Sequence, residues 1–311
     1  MNNFFKKCFA SLGVALVLVS TPYELCAVTN YSNNHHDALQ IHVNQDCKRE
    51  VEITEKFLQR QVPGLSVSYR DVFNAIISEG HQLYIKGGFF RDLLSEDYVE
   101  PNDIDFGYSC SKEQLIEIID KHQWKYTVIP NSKRVIIGEG NGQFLEGVQQ
   151  EIFKPTDINQ VEYTVNTIFY DVNARRFLEE HKVGIEDLEI KRLNVLSDDL
   201  KTWLYISSKS HPFQRIFRFW RMVGKGYSYS INLEKFIKNE IANHLEESPE
   251  HFQEEVIDFA STHFHSFDEL VRGCSAIMGY EWCQKHLIPF KDEAEARSLE
   301  EERRIENLST Y

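Results

Sequence analysis

Positive charge is scarce in this chain. Lys and Arg number 34 against 48 Asp and Glu, a formal net charge of −14. That balance excludes a broad polyanion-gripping surface, so any nucleic-acid contact has to come from a local basic patch. No CxxC pair occurs among the six cysteines, Cys8, Cys26, Cys47, Cys110, Cys274 and Cys283, which argues against a zinc site. Apolar runs are short. The uncharged stretch Cys8–Val19 is 12 residues, too few to span a bilayer comfortably. No internal repeat is visible. What is present is 42% hydrophobic and 13% aromatic residues over 311 positions, which excludes a disordered or collagen-like chain. The length suits two modest domains, or one domain with helical appendages.

Lys6 and Lys7 precede the short apolar run, and Ser20-Thr21-Pro22 ends it. Charge followed by a short apolar core reads as a signal peptide over 1–27, cut near Ala27. It implies export to a periplasm or out of the cell, with the cytoplasm as the location if the signal does not work. No stable membrane partner is expected after cleavage. Residues 28–50 are rich in Asn, Ser, His and Asp and read as a polar linker, with His35, His36 and Asp37 as part of it rather than as a metal cluster. Cys274 and Cys283, nine apart, either pair in an oxidising compartment or serve as small buried hydrophobes.

From Tyr69 the pattern becomes regular. Val72, Phe73, Ile76 and Ile77 share a helical face that Gly80 terminates. Gln82–Lys86 and Ile104–Tyr108 read as strands, and Ser111 with Gln114 forms a capping box for a helix to about Lys121. Arg134–Ile137, Phe144–Phe153 and Tyr163–Tyr170 read as further strands, the first two joined by a turn at Glu139–Gly142. After Leu196 the chain becomes mainly helical. Glu293–Asn307 is a charged helix without a strong apolar stripe. The fold class is α+β, a small mixed sheet with helices followed by a helical region.

The chemistry centres on Lys86-Gly87-Gly88-Phe89-Phe90-Arg91-Asp92. A strand ends in two glycines and a helix starts at once, so backbone can approach an anion closely, with Arg91 on the first turn. Asp103-Ile104-Asp105 follows at the start of the next strand. Alternation puts both carboxylates on one face, where they repel unless a divalent cation lies between them. Mg²⁺ held by one or two carboxylates and substrate phosphates matches that arrangement, with Mn²⁺ as a substitute.

The stretch GGFFRDLL followed by DID resembles the head of the class II nucleotidyltransferases, the CCA-adding tRNA nucleotidyltransferases and bacterial poly(A) polymerases of the polymerase-β-like superfamily. Later segments agree in order. Glu162–Thr167 resembles the RDFTxNA motif, Gly184–Leu188 with Arg192 resembles GxxDL…R, and Arg215, Arg218 and Arg221 resemble the neck-helix RxxRxxR. The resemblance covers roughly residues 70–230. It implies a nucleotidyltransferase head over 51–195, a helical neck over 196–245 and a short helical body or tail over 246–311. It implies that Gly87, Gly88 and Arg91 hold a triphosphate, that Asp92 braces the loop, and that Asp103 and Asp105 bind metal while one activates the attacking hydroxyl. Asn166 would sit near the ribose or link head to neck, and Arg215 and Arg218 would face the nucleotide. The partners implied are an NTP, ATP foremost, and an RNA acceptor.

Departures from the family pattern are equally legible. Gln160-Val161-Glu162 replaces the two arginines and Asp before the FT-like pair. The third acid's place falls on Gln149, with Glu151 as the nearest substitute. His211-Pro212 stands where an acidic base template precedes Arg215. The expected activity is transfer of NMP from an NTP to an acceptor hydroxyl, an RNA 3′ end first, with loose or purine-biased base choice. The alternatives are a same-fold transferase acting on a protein or small molecule, and a non-catalytic nucleotide-binding relative. The aromatics around the neck arginines, Phe213, Phe217, Phe219, Trp220, Tyr227 and Tyr229, are expected in the core, and His263 and His265 are given no role.

Overall fold

The computed structural model describes residues 42–44, 47–95, 99–101, 103–129, 132–138, 144–149, 162–179, 183–197, 199–205 and 212–308. The signal-like segment 1–27, His35–Asp37, Glu139–Gly142, Glu151 and His211 lie outside them. All described residues fall in one unit, Leu39–Tyr311.

The order is β1 (His42–Asn44), α1 (Lys48–Leu58), α2 (Tyr69–Ser78), β2 (Leu83–Lys86), α3 (Gly88–Leu93), β3 (Asp103–Tyr108), α4 (Lys112–Lys121), β4 (Tyr126–Val128), β5 (Arg134–Ile137) and β6 (Phe144–Gln149). A 3₁₀ turn at Thr164–Asn166 leads to β7 (Ile168–Asp171), β8 (Arg176–Glu179), α5 (Gly184–Glu189) and β9 (Arg192–Leu193). Then come α6 (Leu200–Tyr205), α7 (Pro212–Gly224), β10 (Ser228–Tyr229), α8 (Ile231–Glu247), α9 (Pro249–Thr262), α10 (Phe267–Met278), α11 (Tyr280–His286) and α12 (Lys291–Leu308). The α+β class holds: among the described residues eight strands form one mixed sheet in the order β1-β8-β7-β2-β3-β6-β5-β4. Every pairing is antiparallel except β3 with β6.

Local chemistry sets several boundaries. Ser68 caps α2 and Ser111 caps α4, each by a reciprocal capping box with Asp71 and Gln114. Pro249 opens α9, where its missing N–H costs nothing. In β3, Ile104 and Phe106 are buried, and Phe106 meets Phe73 edge-on at 5.4 Å. That choice turns Asp103 and Asp105 to the opposite face.

Two expectations change. The segment 28–50 is not wholly a linker: His42–Asn44 pairs with β8, and α1 begins at Lys48. An edge strand needs one partner only, so its polar composition gave no strand signal. Tyr163–Tyr170 is not one strand. Tyr163 makes an isolated bridge to Val195, and the 3₁₀ turn intervenes before β7. The helical region also contributes one short strand, as β10 pairs in parallel with β9.

Helix α7 is the spine of the second half. Phe213, Ile216, Phe217, Phe219, Trp220 and Met222 are all buried, and Phe217 packs against Phe252 and Phe259 of α9 at 5.9 and 5.4 Å. The neck aromatics Phe213–Trp220 and Tyr227 are therefore core, with Tyr229 half-buried against Phe219. Helices α7 and α10 cross with their backbones touching. A methyl group on Gly273 would overlap the Trp220 carbonyl, and one on Gly224 would overlap that of Glu269. Among the described residues no helix is long and apolar enough to cross a membrane.

Gly273→Ala should therefore cost about 1–3 kcal/mol by overpacking. The expected readout is a lower urea midpoint with an unchanged slope. An unchanged midpoint would mean that the crossing is looser than described.

Candidate functional site

Strand β2 ends at Lys86, and Gly87 turns the chain at φ 81°, ψ −146° into α3. This conformation and its surroundings both require glycine. A Cβ on Gly87 would sit 2.9 Å from Asp105 Oδ2. The two-glycine turn thus lies directly against a carboxylate of β3, which joins the two sequence features Gly87-Gly88 and Asp103/Asp105 into one place.

Register builds the rest. Lys86 of β2 pairs with Asp105 of β3, and Asp105 pairs with Glu146 of β6. Residues paired across neighbouring strands project from the same face, so Lys86, Asp105 and Glu146 form a row, with Asp103 two residues before Asp105 on that face. Arg134 of β5 closes the row by an ion pair to Glu146 at 3.1 Å. Burial pushes Asp103 up to about 7, helped by the charges of Asp105, Glu146 and Asp92 and opposed by Arg91. Asp105 is raised by burial against the pull of Lys86, Arg134 and Arg91. Glu146 is raised by burial against Arg134, and Lys86 is lowered by burial against Asp105 and Glu146. Negative charge is thus gathered here and only partly offset.

The acidic side chain that joins Asp103 and Asp105 on this face is Glu146, and Gln149 is not part of the row. Gln149 pairs with Tyr108, at the far end of β3, and its odd offset from 146 turns it to the other face. Glu146 is the only acid in the strand FLEGVQ, and period-two alternation from it was the available signal. Lys86 and Arg134 were also missed as members of the row, because strand order is not written in local sequence.

A second network runs from the turn to the neck. Arg91 Nη1 donates to Asn166 Oδ1, Asn166 Nδ2 donates to Glu162 Oε2 at 3.0 Å, and Arg218 of α7 pairs with Glu162 Oε1. Glu162 is 7% exposed, and its carbonyl accepts from Trp203 Nε1 at 2.8 Å. Asp92 pairs with Lys225, just beyond α7, at 2.8 Å. So Asp92 and Asn166 both tie the Gly87–Leu93 segment to the neck. Arg215 is placed otherwise. It is 4% exposed, its guanidinium donates to the Trp203 carbonyl, and its own carbonyl accepts from Tyr163 Oη at 3.1 Å. Arg215 holds the neck together instead of presenting its charge at the surface.

The Gly184–Leu188 segment is likewise structural. Asp187 is fully buried and accepts from Thr164 Oγ1, from Arg192 Nε at 2.7 Å and from Asn194 Nδ2 at 2.8 Å. His263 and His265 come near Arg221. Burial, and then that positive charge, holds His263 down to about 3 and lowers His265 in the same direction. Pro212 is the first residue of α7. A surface groove lined by Leu65, Asp71, Ala75 and Trp124 shares no residue with the carboxylate row.

No family model and no curated protein matches the chain. Solved structures do. A CCA-adding enzyme in complex with CTP aligns at 16% identity and a TM-score of 0.54 over 80% of this chain and 57% of its own. A tRNA-processing enzyme in an apo form gives 20% identity and 0.52 over 77% and 58%. A tRNA nucleotidyltransferase complexed with a primer tRNA and an incoming ATP analog gives 20% and 0.51 over 68% and 61%. At these identities the likeness is one of fold, and this chain spans about three-fifths of their length.

The raised Asp103 carboxyl has a consequence for stability. The native state keeps a proton that the unfolded chain releases near its ordinary value, so in metal-free buffer stability falls as pH climbs from about 4 to about 7. Asp103→Asn should melt higher than wild type at about pH 8, by ~2–4 kcal/mol, and lose that advantage near pH 4. A variant that melts lower at the alkaline end would contradict the buried-charge account.

Proposed function

We propose that this protein transfers a nucleoside monophosphate from a nucleoside triphosphate, ATP foremost, to an acceptor hydroxyl, with an RNA 3′ end as the leading acceptor. The observation that carries the reading is the contact of the Gly87 turn with Asp105, with Arg91 and Asp103 beside it. A turn that admits phosphate oxygens, a guanidinium and two undercompensated carboxylates is what phosphoryl chemistry needs in one place. The nucleotidyltransferase fold of the solved neighbours supports it, as do the CTP, the ATP analog and the primer tRNA in their complexes.

The residues fit a divalent cation, Mg²⁺ or Mn²⁺. Asp103 and Asp105 share a face, and neither gains enough positive charge from neighbours to sit at its ordinary pKa. Among the described residues no three acidic, His or Cys groups form a closed metal-holding set. An open pair leaves positions for phosphate oxygens and water, which is the habit of Mg²⁺ with nucleotides. When bound, the cation would neutralise charge building on the transferred phosphate.

The chain's own groups do the remainder. Arg91 contacts the phosphates from a position fixed by Asn166. One carboxylate of the Asp103 and Asp105 pair accepts the proton of the attacking hydroxyl. Glu146 stands beside Asp105 in the row, with its charge partly offset by Arg134. The Arg218–Glu162 pair keeps neck and turn in register for the incoming nucleotide.

The net charge of −14 favours a short contact limited to the acceptor's end. It also supports the second reading, a protein side chain or small hydroxyl compound as acceptor. The Lys6-Lys7 and apolar run adds a proposal of export, which would require a nucleotide-containing destination.

Labelled NTPs offered one at a time with Mg²⁺ and a mixture of RNA, protein and small-molecule acceptors test the reading. Label should move to RNA ends, with weak discrimination among bases. Asp105→Asn should abolish transfer, and Arg91→Ala should weaken NTP binding more than tenfold, since a charge-assisted contact is worth about 1.5–3 kcal/mol. Label on protein or a small compound would install the second acceptor class. No label anywhere, with no Mg²⁺- and ATP-dependent rise in melting temperature, would overturn both readings in favour of a non-catalytic protein.

A further inference from the structure

The strongest unassigned feature lies away from the carboxylate row, in the helical half. Cys274 on α10 and Cys283 on α11 are both fully buried free thiols, and their sulfur atoms are 2.7 Å apart. A disulfide bond is about 2.05 Å long. The observed separation is longer than that bond but inside ordinary non-bonded contact of two sulfurs, so a small approach would close it. Gly279, at φ 91°, ψ 150°, makes the turn that folds α11 back beside α10 and brings positions nine apart together.

We propose that Cys274 and Cys283 are a disulfide-forming pair, a covalent modification site that staples α11 to α10. The inference is independent of the proposed transferase activity.

The chemistry is thiol–disulfide exchange with a small-molecule disulfide of the glutathione type. The hydrogen bond with Cys274 draws Cys283 down to about 7, and burial pushes Cys274 up, so Cys283 is the attacking thiolate. Cys283 sulfur attacks one sulfur of the small disulfide and expels a small thiolate. Cys274 then gives up its proton and attacks the Cys283 sulfur, which expels the second small thiolate. The two protein thiols are oxidised to one disulfide, and the small disulfide is reduced to two thiols. Access comes from local opening of α11. It is seven residues long, and its first residue, Tyr280, is 59% exposed.

The staple would act on the neck. Gly273, next to Cys274, lies against the Trp220 carbonyl of α7, and Trp282, next to Cys283, meets the Trp220 ring at 5.7 Å. Closing residues 274–283 into a loop thus fixes the two helices that back the neck helix.

The test uses the full chain in native buffer with oxidised glutathione, followed by intact mass and peptide mapping without reduction. The expected result is a mass lower by about 2 Da, a linked Cys274–Cys283 peptide, and a melting temperature higher by roughly 5 °C that dithiothreitol reverses. Cys274→Ala and Cys283→Ala should each remove the redox-dependent shift. Should either variant fold poorly, the comparison of oxidised with reduced wild type decides the matter alone. Recovery of both residues as free thiols after prolonged exposure, or of a link joining other cysteines, would overturn the assignment. So would a linked peptide that leaves the melting temperature unchanged, since the bond would then staple nothing.

Discussion

Two carboxylates on the water-poor face of a central strand are the constraint around which the first half of this protein is arranged. Ile104 and Phe106 commit β3 to the core, and alternation then forces Asp103 and Asp105 onto the other face together. Half-burial makes their charge costly, which is why Lys86 and Arg134 lie in the same neighbourhood. These cations reduce the cost without cancelling it. Well-packed apolar residues in place of the two carboxylates would avoid that cost. The glycine at 87 belongs to the same constraint, because its φ of 81° suits glycine and a side chain there would push on the Asp105 carboxylate.

The neck depends on that arrangement through side chains rather than backbone. Arg91, Asn166, Glu162 and Arg218 form one continuous chain of charge-assisted bonds, and Asp92–Lys225 makes a second tie nearby. Arg218 spends its charge on Glu162 and Lys225 on Asp92. In a chain with a net charge of −14 this limits the positive charge left for any polyanion. Arg215 makes the same point from the other side. It sits in the motif pattern of a ligand-facing residue, yet it is buried on a backbone carbonyl.

The helical half is held by aromatic packing on α7 and by the backbone contact of α7 with α10 at Gly224 and Gly273. The Cys274–Cys283 pair lies one residue beyond that crossing. A covalent bond there would bear on the helix that carries Arg218 without touching the carboxylates themselves.

Much of this was legible before any coordinates. The strand, double-glycine turn, helix and DxD strand follow from local periodicity, and the capping boxes of α2 and α4 need only four residues each. The identity of the two metal-facing candidates, Asp103 and Asp105, needed only alternation along one strand. The rest required tertiary structure, for one physical reason: a sheet places residues together by register, and register depends on partners distant in sequence. Glu146 lies beside Asp105 because β6 runs parallel to β3 with that offset, whereas the family resemblance put the third acid's place at Gln149, three residues later. The edge strand β1, the burial of Arg215 and the contact of two thiols nine residues apart were decided the same way. Each is set by what packs against the residue, and a sequence states the residue but not its neighbour.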